Sequence, residues 1–145
     1  HISWLTSDEL DVQSVGAKLT RMTQTLRPFY LETTGFGIFS GSKPVLYLPV
    51  IKTGALSKFH AELWDLLTDE LNLSNRLYNP DQWLPHISVF YFEKDEAEAL
   101  GCALADLVTM DFQLHFTVDH LKIAYYRDEQ YGLQSEHYFK GQSGL

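Results

Sequence analysis

The chain has one cysteine, few basic residues and no long apolar run, and each shortage narrows what it can be. Cys102 alone rules out an intrachain disulfide. A lone thiol fits a reducing compartment, so a cytoplasmic location is expected. Lys and Arg number 11 against 19 Asp and Glu, a formal charge of −8. That balance disfavours broad, sequence-independent binding to nucleic acid, which depends on neutralising many phosphates. It still permits a small phosphorylated ligand in a local polar pocket. No apolar stretch reaches the roughly 20 residues of a membrane-spanning helix, and no signal peptide is legible. Several chemistries lack their motifs. No H-x-H, H-E-x-x-H or C-x-x-C offers zinc ligands. No G-x-S-x-G marks a serine hydrolase. No P-loop or G-x-G-x-x-G marks nucleotide binding of those kinds. Neither metal nor cofactor is expected.

What is present is a globular composition: 45% apolar and 14% aromatic over 145 residues, enough for one domain with a core. Two tripeptides stand out. His1-Ile2-Ser3 opens the chain, and His86-Ile87-Ser88 follows 85 residues later. In a strand, side chains alternate faces, so each histidine shares a face with its serine while the isoleucine points away. The same offset relates their surroundings. Val12, Val15, Leu19 and Met22 correspond to Ala97, Leu100, Leu104 and Leu107, and Gly16 to Gly101. Phe29, Leu31, Phe36 and Ile38 correspond to Leu114, Phe116, Leu121 and Ile123. The pattern reads as a duplicated strand–helix–strand–strand unit, folded into two lobes about a pseudo-two-fold axis.

Local signals place the elements. Residues 1–5 read as a strand and Asp8–Leu26 as an amphipathic helix capped near Ser7 or Asp8. Residues 29–40 alternate, with Gly35 and Gly37 marking a bulge or bend. They form a hairpin with Val45–Ile51 across Gly41-Ser42-Lys43-Pro44. A helix follows at 55–71, with Leu56, Phe59, Leu63, Leu66, Leu67 and Leu71 as its apolar stripe. Residues 72–85 are turn-rich. Then come a strand at 86–92, a helix at 94–108, and strands at 111–117, 120–126 and 131–139. The fold class is α+β: residues 1–145 form a single bilobed duplicated domain, with two antiparallel sheets, outer helices and a central groove. A strand and a helix precede His86 but not His1. A symmetric fold would therefore carry about 35–45 further residues ahead of His1.

At this point the chain resembles the two-histidine phosphoesterases, the superfamily of bacterial 2′-5′ RNA ligase-like and 2′,3′-cyclic phosphodiesterase proteins. The resemblance rests on His1-Ile2-Ser3-Trp4, on His86-Ile87-Ser88-Val89, and on the Trp-x-Pro-His context Trp83-Leu84-Pro85-His86. It implies a bilobed α+β fold with the two motifs face to face. It also implies metal-independent cleavage of 2′,3′-cyclic phosphate or 2′-5′ linkages, with His1 and His86 as acid and base. Histidine suits both tasks because it titrates near neutrality. Ser3 and Ser88 would donate to the non-bridging oxygens, where charge builds. Which histidine is acid and which base stays open. So does a non-catalytic RNA-end or nucleotide-phosphate binding module on the same fold, or an unrelated interaction domain.

Around the motifs, Trp83, Phe90, Tyr125 and Tyr126 are candidates for stacking on bases, and Arg127 for pairing with a terminal phosphate. Short RNA ends or small phosphorylated nucleotides are the expected partners, bound by a monomer away from membranes. His60 reads as a surface or boundary residue beside the Phe59 stripe. His115 faces solvent or a sheet partner. His120 and His137 are minor candidates for the groove, and Cys102 reads as core among Ala99, Ala103 and Leu104.

Overall fold

The computed structural model describes residues 1–71, 75–127 and 130–141; part of the turn-rich connection and of the C-terminal tail lies outside them. Helix α1 spans Val12–Thr23. It starts later than its apolar periodicity suggests because Asp11 is the cap. Its carboxylate accepts the backbone N–H groups of Gln13 and Ser14 at 3.0 and 3.1 Å, satisfying two donors that a helix start leaves free. Strand β1 (Phe29–Glu32) follows, and the chain then bends at Gly35, whose φ of +59° favours glycine. Strands β2 (Gly37–Phe39) and β3 (Val45–Pro49) form the hairpin. Helix α2 (Gly54–Leu67) is capped by the Thr53 hydroxyl and runs into a 3₁₀ turn, Thr68–Glu70. A second 3₁₀ turn, Arg76–Tyr78, leads to β4 (His86–Tyr91). Helix α3 (Ala97–Leu107) precedes β5 (His115–Val118), β6 (His120–Arg127) and β7 (Gln130–Tyr138).

The named strands form three antiparallel sheets rather than two: β1–β5, β2–β3–β4 and β6–β7. The small β1–β5 ladder locates the duplication in space. Leu31 stands opposite Phe116, and these are the residues that the 85-residue offset relates. Equivalent residues facing each other across an antiparallel ladder fit a two-fold relation between the two halves. Buried apolar residues form two clusters. Val15, Leu19, Phe59, Leu63, Leu67, Leu121 and Ile123 join α1, α2 and β6. Leu31, Val50, Leu56 and Trp83 form the other, and Trp4 and Phe29 pack against both.

Three expectations fail here. Residues 1–5 form no strand. Ile2 and Trp4 pack against the core, but so does Leu5, and among the described residues no backbone ladder pairs with this segment. Cys102 is exposed rather than core. On α3 the stripe Leu100, Leu104 and Leu107 is half-buried, and Cys102 lies two residues, about 200°, around the helix from Leu100. His60 is buried at 1% exposure. It occupies the inward stripe of α2 and its ring has a partner there, described below.

Candidate active site

The second motif sits in a regular ladder. Pro49, Leu48 and Tyr47 of β3 stand opposite His86, Ile87 and Ser88. Ile87 packs against the Leu31–Val50–Leu56–Trp83 cluster. His86 emerges on the opposite face, half-buried, with the Phe39 and Tyr47 rings edge-on at 4.8 and 5.5 Å. Its Nδ1 lies 2.8 Å from the Leu84 carbonyl. A carbonyl only accepts, so Nδ1 carries the proton and the neutral ring keeps its lone pair at Nε2. That arrangement can take a proton from water or a hydroxyl.

The first motif is held differently. Among the described residues, positions 1–6 make no backbone–backbone hydrogen bond. Ile2 packs against the same apolar cluster as Ile87, so both motifs share one anchor. His1 is exposed and stacks on Tyr131, ring centroids 6.4 Å apart and planes at 19°. Burial pushes the Tyr78 phenol above its ordinary range, while the neighbouring Ser3 and Thr6 side chains pull it back. The Ser3 carbonyl accepts the Trp83 indole N–H at 3.2 Å, and the Trp4 carbonyl accepts the His60 Nε2–H at 3.0 Å.

Residues 1–10, apolar side chains of α1 and α2, Tyr91 at the end of β4, and β5, β6 and β7 line a groove of about 1610 Å³. His1 and Ser3 line it together with Tyr125, Tyr126 and Arg127. His86, Ser88, Trp83 and Phe90 are not among its lining residues. The structure thus assembles the first motif with the β6 aromatics and the arginine. It sets His86 and Ser88 on the adjoining β2–β3–β4 face. Trp83 offers no face to a base: it is 2% exposed and stacked on His60 at 3.8 Å and 5°. Phe90 is exposed and rests on Phe92.

Of the remaining histidines, His120 lines the groove with its Nδ1 2.5 Å from the Asp119 carboxylate. His137 does not line it. It is buried on β7, with Nδ1 bonded to Thr20 of α1 and Nε2 to Ser135. His115 is exposed, 3.8 Å from Glu32. Tyr131 escaped the sequence reading although its signal was there: it pairs with Tyr126 across the β6–β7 hairpin. Tyr78 had no such signal, because its role comes from the fold bringing residues 75 positions apart together. Among the described residues, no cluster of three or more His, Cys, Asp or Glu is placed to hold a metal ion, and no helix is long and apolar enough to cross a membrane.

A family model described as the 2′-5′ RNA ligase superfamily matches residues 1–130. Among solved structures, the crystal structure of TT0787 of Thermus thermophilus has a similar fold. It gives a TM-score of 0.63 at 16% identity, covering 99% of this chain and 79% of that one. No curated protein matches the chain.

Proposed function

This chain belongs to the 2′-5′ RNA ligase superfamily, and from that premise we propose a phosphodiesterase that hydrolyses 2′,3′-cyclic phosphate or 2′-5′-linked RNA and nucleotide ends. The observation that carries the reading is the pair of intact H-x-S motifs within the matched span, both anchored by their isoleucines on one cluster. His86, with Nδ1 committed to Leu84, is the base in the hydrolytic direction. Its Nε2 takes a proton from the attacking water. Protonated His1 gives a proton to the departing ribose oxygen. In-line displacement puts these two groups on opposite sides of phosphorus. Ser3 and Ser88 donate to the non-bridging oxygens. In 2′-5′ ligation a ribose 5′-hydroxyl takes the place of water: His86 accepts its proton as the new P–O bond forms, and His1 again protonates the departing ribose oxygen.

Tyr125, Tyr126 and Tyr131, along the groove wall, suit base stacking worth roughly 1–3 kcal/mol per base, and Arg127 suits a terminal phosphate. The substrates are short RNA ends or small phosphorylated nucleotides, handled by a monomer in the reducing cytoplasm. The test is turnover on a panel of 2′,3′-cyclic nucleotides, cyclic-phosphate-ended RNA and 2′-5′-linked oligoadenylate. His86→Ala should lower the rate by roughly 10²–10⁴, Ser88→Ala by less, and EDTA should leave the rate unchanged. Wild-type turnover in His86→Ala, or activity that chelation abolishes and metal restores, would sink the assignment. Binding without turnover on every substrate would select a non-catalytic RNA-end binding module instead.

A further inference from the structure

The two motifs are fixed by different means. The β3 ladder holds the backbone of His86, Ile87 and Ser88. The first motif has no ladder among the described residues, yet two of its consecutive carbonyls are bonded. Ser3 accepts the Trp83 indole N–H at 3.2 Å and Trp4 accepts the His60 Nε2–H at 3.0 Å. The two donors belong to one unit, because the His60 and Trp83 rings lie parallel, 3.8 Å apart at 5°. Both rings are buried, at 1% and 2% exposure. Trp83 is in turn placed from both sides. Its own carbonyl accepts the Lys52 ammonium at 2.9 Å, and its backbone N–H donates to Asn79 at 2.8 Å. It stands three residues before His86.

We infer that the stacked His60–Trp83 pair is the positioning device of the first motif, setting the backbone at Ser3 and Trp4, and so the His1 and Ser3 side chains, relative to the ladder-held second motif. Neither ring lines the groove, so both act through the motif and not on substrate. The arrangement is lopsided in a testable way. Removing a donor frees residues 1–5 but leaves the β3–β4 ladder whole. A purely structural pair would loosen both motifs alike, or neither.

His60→Phe keeps the ring stack and deletes the donor to Trp4. His60→Gln restores an N–H near the position of Nε2. Trp83→Phe keeps a ring and deletes the donor to Ser3. Backbone and imidazole NMR shifts should move at His1–Leu5 in His60→Phe and stay in place at His86–Ser88. The kinetic arm rests on the function proposed above. There kcat should fall by about ten- to a hundred-fold, the scale of an ångström's misplacement, with KM little changed and most of the loss recovered in His60→Gln. Equal shifts in both motifs, or unchanged shifts at His1–Leu5 in the folded His60→Phe protein, overturn the inference. For a variant that does not fold, the wild type carries the test: its His60 ring N–H and Trp83 indole N–H must exchange slowly with solvent, and fast exchange overturns it. A wild type without turnover on any substrate defeats the proposed function and leaves the NMR arm intact.

Discussion

His60 and His137 show how burial decides the chemistry of one residue. Burial pushes both imidazoles below their ordinary value of 6.5; for His60 the bond to Trp4 opposes the shift and the nearby Lys52 adds to it. The sign of the consequence follows from linkage. Below 6.5 the unfolded chain takes up protons that the folded chain refuses, so stability is full above that value and is lost as pH falls through the folded pKa values. The melting temperature should therefore be flat above about pH 7 and decline below it, with a shallower decline in His137→Gln. An acid limb of equal steepness in wild type and variant would refute the assignment. His60 was also legible in part. Leu56, Phe59, His60, Leu63 and Leu67 are the buried residues of α2, and the spacing alone places position 60 on that stripe. The residue type argued for the surface. What the sequence withholds is the partner, a tryptophan 23 positions away whose face covers the ring.

Elements repeat this division between local and distant information. The apolar stripes announce α1 and α2, but Asp11 and Thr53 set their starts, and the choice of Asp11 over Asp8 depends on which carboxylate the chain turns toward the N–H groups. The alternation of residues 1–5 holds for Ile2 and Trp4 but not for Leu5, which also packs on the core. It does not bring pairing, since a ladder needs a neighbour that no local pattern names. The two hairpins share a device visible only in three dimensions. Tyr47 lies across Gly37 on β2, and Tyr125 lies across Gly132 on β7, with roles reversed between the lobes. A Cβ would stand 2.4 Å from the Tyr47 ring at Gly37 and 2.2 Å from the Tyr125 ring at Gly132. Gly132→Ala should therefore displace the half-exposed, groove-lining Tyr125 ring, at less than the roughly 1–3 kcal/mol of overpacking a closed core. Gly37→Ala, where Tyr47 is packed against Phe39 and His86, should reach that range. Gly101→Ala, where a Cβ meets open space on α3, should instead stabilise by about 0.5–1 kcal/mol. Urea midpoints of the three variants decide it, and a stabilised Gly132→Ala would show that the ring has room to move.

At the scale of the whole molecule, duplication was the most legible feature, because a gapless offset needs no three-dimensional information and the Leu31–Phe116 pair fits a two-fold relation between the halves. How the strands divide into sheets was not legible, since pairing is decided by contacts between distant segments. Charge is the other property of the whole. The chain carries −8, and among its described residues Lys18, Lys43, Lys58 and Lys122 are each paired with a glutamate. Along the groove the cationic side chains are Lys122, 2.7 Å from Glu136, and Arg127, which has no ion pair among the described residues. Such a surface suits one or two phosphates. If the substrate is an RNA end, the logarithm of its affinity should fall with the logarithm of salt at a slope of about −0.7 to −1.4, at roughly 0.7 per single-strand phosphate neutralised. Arg127→Gln should flatten that slope by about 0.7 and leave the rate at saturating substrate nearly unchanged. Titrating a cyclic-phosphate-ended oligonucleotide from about 50 to 200 mM salt supplies the measurement. A slope several-fold steeper would mean that the backbone is tracked over many phosphates, by a surface other than this groove.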